Sequence, residues 1–293
     1  MPKKVTIASG IALAALTALI AVLVCVRGKT EYEPPRRVSV YLPEEHEIVT
    51  VGYTEFLAGC MSGALSTMPD IADEALAAVA VVMNSRAMNE LAAKTGFRNL
   101  GADFAASADL PYSAEATPDE RILSAARSAE RTLLTYDGEP INAHFCLISA
   151  GKTDEQPPVS PSVSLPCDIG CSGFESRAVY TTEDVRRAFH KSGGLTADCS
   201  QWLSDPVYAE SGTLLYILFN GERVTGAELK RALGLRSTAI TVEYTEDKFS
   251  FTCLGYGENK GMSVNAADFM ARQGSTAEEI LAVFYSGAEL KKY

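Results

Sequence analysis

Residues able to do chemistry fall in two stretches of this 293-residue chain. The first is "HFCLISAGKT", which carries His144, Cys146, Ser149, Gly151, Lys152 and Thr153 and is followed by Cys167 and Cys171. A glycine ahead of Lys-Thr suggests a phosphate cradle, but such a loop has a second glycine five positions earlier and opens a helix. Here Gly151 stands alone, and "DEQPPVSPSVSLP" after it is too rich in proline to be a helix, so the phosphate reading fails. Alternation along an extended run puts His144 and Cys146 on one face. With Cys167 and Cys171 they make two pairs of nitrogen and sulfur ligands compatible with tetrahedral, structural Zn2+. A Cys167 to Cys171 disulfide and plain buried thiols are the alternatives that spacing leaves open. Ser149 has no histidine at a recognisable distance, so no hydrolase triad is expected.

The second set is carboxylates: Glu55, Asp70, Asp73 and Glu74 around "STMPDIADEALAA", and Glu258 in "GYGENKGMS". Asp70, Asp73 and Glu74 precede or open a helix, where negative charge complements the dipole. Glu258 belongs to a loop. Trp202 and Tyr208 are aromatic enough to stack on a ligand ring, although core burial is the expectation, and His190 reads as a cation at a helix end.

The elements that must hold these residues are legible from capping and periodicity. Ile71, Leu76, Val79, Val82 and Met83 recur at helical spacing in an alanine-rich run, the mark of a closely packed core helix. Thr117, Pro118 and Glu120 predict a capping box for a second helix. Asp137-Gly138 predicts a tight hairpin turn, and "AITVEYTEDKFSFTCLG" a further hairpin. "TTEDVRRAF", Thr225 with Glu228 and Gly234, and "STAEEILAVFYSG" predict three more capped helices. Helices interspersed with hairpins, without regular βαβ spacing, indicate an α+β fold.

Composition bounds the rest. The chain is 47% hydrophobic, 22% charged and carries a net charge of −11, with no basic run in its body, so nucleic acid is not an expected partner. Residues 1–27 hold an uncharged apolar run from Val5 to Val26, about the length a helix needs to cross a bilayer. No small-residue cleavage site follows it. The expectation is a single-pass membrane protein, with a cytoplasmic N-terminus and an extracytoplasmic body. Residues 28–48, charged and proline-containing, read as a linker, and 49–293 as one domain.

The ordered segments "MPDIADEALAAVAV", "LLTYDGEPINAHFCLISAGKT", "FESRAVYTTEDVRRAF", "ELKRALGLRS", "FTCLGYGENKGMS" and "ARQGSTAEEILAVFYSGAEL" resemble the stage II sporulation protein D (SpoIID/LytB) family over roughly residues 50 to 290. That resemblance implies a membrane-anchored lytic transglycosylase on peptidoglycan glycan strands at the engulfing septum, beside an amidase or membrane scaffold partner. It also implies a glycan cleft formed by Thr67, Asn84, Cys146, Ser149, Gly151, Lys152, Thr153, Tyr256, Gly257, Glu258 and Ser263, with zinc beside the cleft in some members.

The chain departs from the family where the chemistry lies. The family's acid is the glutamate of "SEMP", and this chain has Ser66-Thr67-Met68-Pro69. A threonine hydroxyl cannot deliver a proton as a carboxylic acid does near neutral pH. Asn84 stands at the family's arginine position, and Cys146 and Glu258 stand at two histidine positions. The expectation is therefore a catalytically degenerate, glycan-binding member. The rival expectation is an enzyme that uses a displaced carboxylate, Glu55 or Glu258.

Overall fold

The computed structural model of the chain describes residues 32–93, 101–107, 110–114, 117–189 and 195–293. The apolar run expected to anchor the chain, and His190, lie outside these residues. Among the described residues no helix is long and apolar enough to cross a membrane.

The elements run β1 (Arg37–Leu42), β2 (Glu47–Gly52), α1 (Tyr53–Ala64), α2 (Asp73–Ala93), β3 (Phe104–Ala105), α3 (Glu120–Ala129), β4 (Thr132–Tyr136), β5 (Glu139–Pro140) and β6 (Phe145–Cys146). They continue with β7 (Glu175–Thr181), α4 (Thr182–Ala188), β8 (Leu203–Tyr208), β9 (Leu214–Phe219), β10 (Glu222–Thr225), α5 (Gly226–Leu233), β11 (Ala239–Thr245) and β12 (Lys248–Leu254). The last are β13 (Met262–Ser263), α6 (Val264–Arg272), α7 (Ala277–Phe284) and β14 (Glu289–Lys292). Small sheets alternate with helices, so the α+β class holds.

Two hydrophobic cores organise the chain. The larger surrounds α2, which is buried nearly all round from Ala75 to Met88 and packs on α1, α3, α6, α7 and β4. Its alanines let these neighbours approach closely. Phe56 on α1 stacks on Phe104 with ring centroids 4.4 Å apart. Complete burial of such a ring is worth about 1.5–3 kcal/mol. The smaller core joins two three-stranded sheets, ordered β10-β9-β8 and β11-β12-β7, around Ile217, Phe219, Leu229, Phe249 and Phe251. Trp202 belongs to it, with its indole N–H donating to the Thr196 carbonyl at 2.9 Å, as core burial predicts.

The capping signals are accurate at Thr181, Thr225 and Thr276, each of which closes a box with the acidic residue three positions on. The box expected at Thr117 is not formed. Helix α3 begins later, with Asp119 as the cap accepting from the Ile122 N–H at 2.8 Å. Asp137 and Gly138 both have positive φ, as the hairpin turn requires. The return strand is short, however. Residues Phe145–Cys146 leave it to pair with Met262–Ser263 in parallel. The stretch expected as a linker is instead regular structure from Arg37 onwards. It forms the β1–β2 hairpin, with Val38, Val40 and Leu42 buried, because its alternating apolar residues face α1.

Candidate functional site

Three chain segments cross at Tyr256. Its N–H donates to the Ile148 carbonyl at 2.7 Å, and its carbonyl accepts from Leu147 N–H at 2.9 Å. The Gly257 N–H then donates to the Arg236 carbonyl at 2.9 Å. Gly257 has a φ of +123°, and a Cβ there would stand 2.8 Å from that of Cys146, so glycine is what allows this crossing.

Two cavities meet here, sharing Leu147 and Tyr256. One, of about 490 Å3, is lined by Thr67, Met68, Asp70, Arg236, Asp268 and Arg272 among others. The other, of about 670 Å3, is lined by Ser66, Phe145, Cys146, Lys230, Arg231, Gly257 and Glu258 among others. The exposed Ser66-Thr67 turn stands where they adjoin. Together they make one extended groove. The segment after that turn is held in place: Asp268 Oδ1 accepts from Ala72 N–H at 2.7 Å, and Arg272 donates to the Asp70 carbonyl at 2.5 Å. Asp268 Oδ2 in turn receives Arg272 Nε at 2.7 Å.

Of the residues expected in the cleft, Thr67, Cys146, Tyr256, Gly257 and Glu258 line the groove. Burial lifts the Cys146 thiol far above its ordinary range, with the charges of Asp168 and Asp154 adding to the effect, so it faces the groove as a neutral wall. Glu258 lies 3.6 Å from Lys260. Glu55, the other candidate acid, is exposed in the first turn of α1 and lines neither cavity.

Asn84 is wholly buried away from the groove. Its Oδ1 accepts from the Tyr53 hydroxyl at 2.7 Å, and its Nδ2 donates to the carbonyls of Ala129 at 2.8 Å, and of Glu130 and Thr132 at 3.1 Å each. It caps the orphan carbonyls at the end of α3.

Residues Ser149, Gly151, Lys152 and Thr153, also expected in the cleft, line neither cavity. They form a structural knot. Ser149 N–H and Oγ donate to Asp168 Oδ2 at 2.8 and 2.6 Å, and Asn265 donates to Asp168 Oδ1 at 2.9 Å. Asn259 accepts from Ala150 N–H at 2.9 Å and donates to the Lys152 carbonyl at 2.9 Å. Thr153 is buried, its Oγ1 accepting from Val163 N–H at 3.0 Å, while Lys152 pairs with Glu210 at 2.7 Å. Ser263 is spent as the cap of α6, and Tyr208 is exposed outside both cavities.

The four residues expected to hold zinc do not fit a metal site as they stand. His144 lines a separate hollow with Tyr136, Glu139 and Gln156, and its Nδ1 lies 3.1 Å from an Arg86 guanidinium nitrogen. Cys146 belongs to the groove. Cys167 and Cys171 are free thiols raised above their ordinary range, chiefly by burial and then by the Asp168 charge. No group of three or more His, Cys, Asp or Glu gathers to hold a metal among the described residues.

No model of a known protein family matches the chain. Among curated proteins it is similar to stage II sporulation protein D of Bacillus subtilis (strain 168), 26% identical over 181 residues that cover 59% of this chain and 52% of that protein. It is also similar to stage II sporulation protein D of Bacillus amyloliquefaciens, 22% identical over 281 residues covering 89% of this chain and 80% of that one. Both relatives are named stage II sporulation protein D, and the two matches support an assignment of the chain to that family. The chain spans about half the length of the first of these relatives.

Sequence reasoning missed the groove's supporting charges, Asp268, Arg272, Arg236, Lys230 and Arg231. Asp268 and Arg272 carried an (i, i+4) signal on α6. Arg236 falls in the family-like segment "ELKRALGLRS", but no local spacing places it at Tyr256, to which the tertiary crossing brings it.

Proposed function

We propose that this protein is a membrane-anchored, extracytoplasmic peptidoglycan-binding member of its family that has lost lytic transglycosylase chemistry and works beside a cell-wall amidase. The observation that carries the reading is Thr67, on the turn where the two cavities meet and at the position of the family's glutamate. An extended groove suits a polymer better than a small molecule. Cleavage with ring closure needs one group that protonates the glycosidic oxygen and then accepts a proton from the C6 hydroxyl. Thr67 offers only an alcohol. Of the groove's carboxylates, Asp268 has one oxygen on Ala72 N–H and the other on Arg272, which commits it to holding the start of α2. Glu258 lies beside Lys260 in the neighbouring cavity.

A second reading keeps the enzyme active through a relocated acid. It is favoured by Asp70, which is exposed and lines the same cavity as Thr67 three residues on. The zinc expectation is not carried into either reading.

Binding tests the proposal. The full chain in detergent should co-sediment with purified denuded glycan, and Tyr256→Ala, which removes the ring shared by both cavities, should weaken this about tenfold while the fold survives. Equal binding by the variant, or none by the unmodified protein, refutes it.

A further inference from the structure

The chain enters the domain well away from the groove. Tyr32, the first described residue, is buried: its ring meets that of Tyr293 edge-on with centroids 6.0 Å apart, and its hydroxyl donates to Glu139 on β5. This clamp lies six residues after Val26, the end of the apolar run. Fully extended, six residues reach about 22 Å. A helix crossing a bilayer at residues 5–26 therefore keeps the Tyr32 end of the domain within that distance of the membrane surface.

Helix α2 measures the way from the clamp to the groove. In its C-terminal half Asn89 donates to the Pro140 carbonyl at 2.7 Å, next to Glu139. Just before its N-terminus Asp70 and Ile71 line the first cavity. The sixteen steps from Asp73 to Asn89 rise about 24 Å. Clamp and groove thus belong to opposite ends of one buried helix.

The surface around the clamp has the makeup of an interfacial contact. Tyr136, opposite Glu139 in the β4–β5 register, is 41% exposed. With Pro140, Ile141, Pro157 and Val159 it lines the open hollow of about 370 Å3. Lys292 is exposed on β14 beside Tyr293. A tyrosine, apolar in its ring and polar at its tip, favours the headgroup level of a bilayer, and a lysine lays its stem there with the ammonium in water. The surrounding charges balance, with Arg131, Lys291 and Lys292 against Asp137, Glu139 and Glu289. Such a contact is weak alone, but a six-residue connection to the anchor supplies a high effective concentration.

We infer that the surface around Tyr32, carrying Tyr136, its hollow and Lys292, rests on the lipid headgroups of the membrane that anchors the chain. This rests on the membrane-anchored reading and goes beyond it. With α2 upright, the groove stands about 24 Å from that layer and meets the glycan nearest the membrane.

The test uses the full chain in bilayer discs of phosphatidylethanolamine and phosphatidylglycerol whose headgroups carry a nitroxide quencher. Trp202, the single tryptophan, is buried in the smaller core and supplies a constant background. Tyr136→Trp adds a reporter on the proposed surface. Leu215→Trp adds a control on β9, exposed there and packed through its strand on the groove-lining α5. The quencher should remove most of the fluorescence added by Tyr136→Trp and little of that added by Leu215→Trp. The difference should persist as salt rises, because the charges balance. Adding Tyr32→Ala to Tyr136→Trp opens the clamp while sparing the anchor, and should lessen the quenching. Equal quenching at the two positions, or little at Tyr136→Trp in discs that carry the chain, overturns the inference while the anchor stands, and leaves this surface to a membrane-protein partner. Failure of the chain to enter the discs overturns the membrane-anchored reading and this inference together.

Discussion

Replacing Asn84 with leucine separates a scaffold role from a groove role, because the structure gives this side chain a full set of buried partners. The change leaves the Tyr53 hydroxyl, itself buried, without its acceptor, and removes the donor shared by the carbonyls of Ala129, Glu130 and Thr132. Each buried polar group left unsatisfied costs about 1–3 kcal/mol. Taking the hydroxyl and the carbonyl cluster as two such groups, and allowing some return from the apolar side chain, the loss is about 3–4 kcal/mol. For a domain of this size that lowers Tm by about 10 °C. Thermal unfolding followed by circular dichroism reads the shift. Adding Tyr53→Phe to Asn84→Leu should cost less than the sum of the two single changes, since the hydroxyl needing an acceptor is gone. Glycan affinity of the folded fraction should not move. A Tm within about 2 °C of the unmodified protein, or selective loss of glycan binding at full stability, would refute the reasoning.

Other outcomes follow from the same geometry. Gly257→Ala should destabilise by more than about 1 kcal/mol, read by denaturant titration, because its positive φ and the 2.8 Å approach to Cys146 both oppose a Cβ. Iodoacetamide labelling followed by peptide mass spectrometry should leave Cys146 unmodified in the folded protein. Cys167 and Cys171 should react slowly at pH 8 and faster as pH rises past 9, because the thiolate is the nucleophile and their pKa values lie above the ordinary one. Treatment with a zinc chelator should leave Tm unchanged, and a fall of several degrees would instead show that His144, Cys146, Cys167 and Cys171 rearrange around a metal.

Local signals carried much of the fold. The three capping boxes, the Asp137-Gly138 turn and the Glu246-Asp247 hairpin depend on a few neighbouring residues, and they stand where spacing puts them. The β1–β2 hairpin was hidden because Glu and Pro residues around it resemble a tether, while its burial depends on α1 arriving later in the chain. Thr67, Tyr256, Gly257 and Glu258, named by family pattern, line the two adjoining cavities. Ser149, Gly151, Lys152 and Thr153, named by the same pattern, line neither cavity, because Asp168 and Asn259 draw their loop into a buried network. The position of Arg236 depends on contacts distant in sequence, which no local spacing encodes.

The most direct measurement is product analysis by mass spectrometry after incubating denuded glycan strands with the full chain and with its Thr67→Glu variant. Thr67 is exposed on a turn and lines the first cavity, so the substitution places a carboxylate in the groove without disturbing the core. The account predicts no 1,6-anhydro products from the unmodified protein and their appearance with the variant. Anhydro products from the unmodified protein would contradict it and point to Asp70 or Glu258 as a relocated acid.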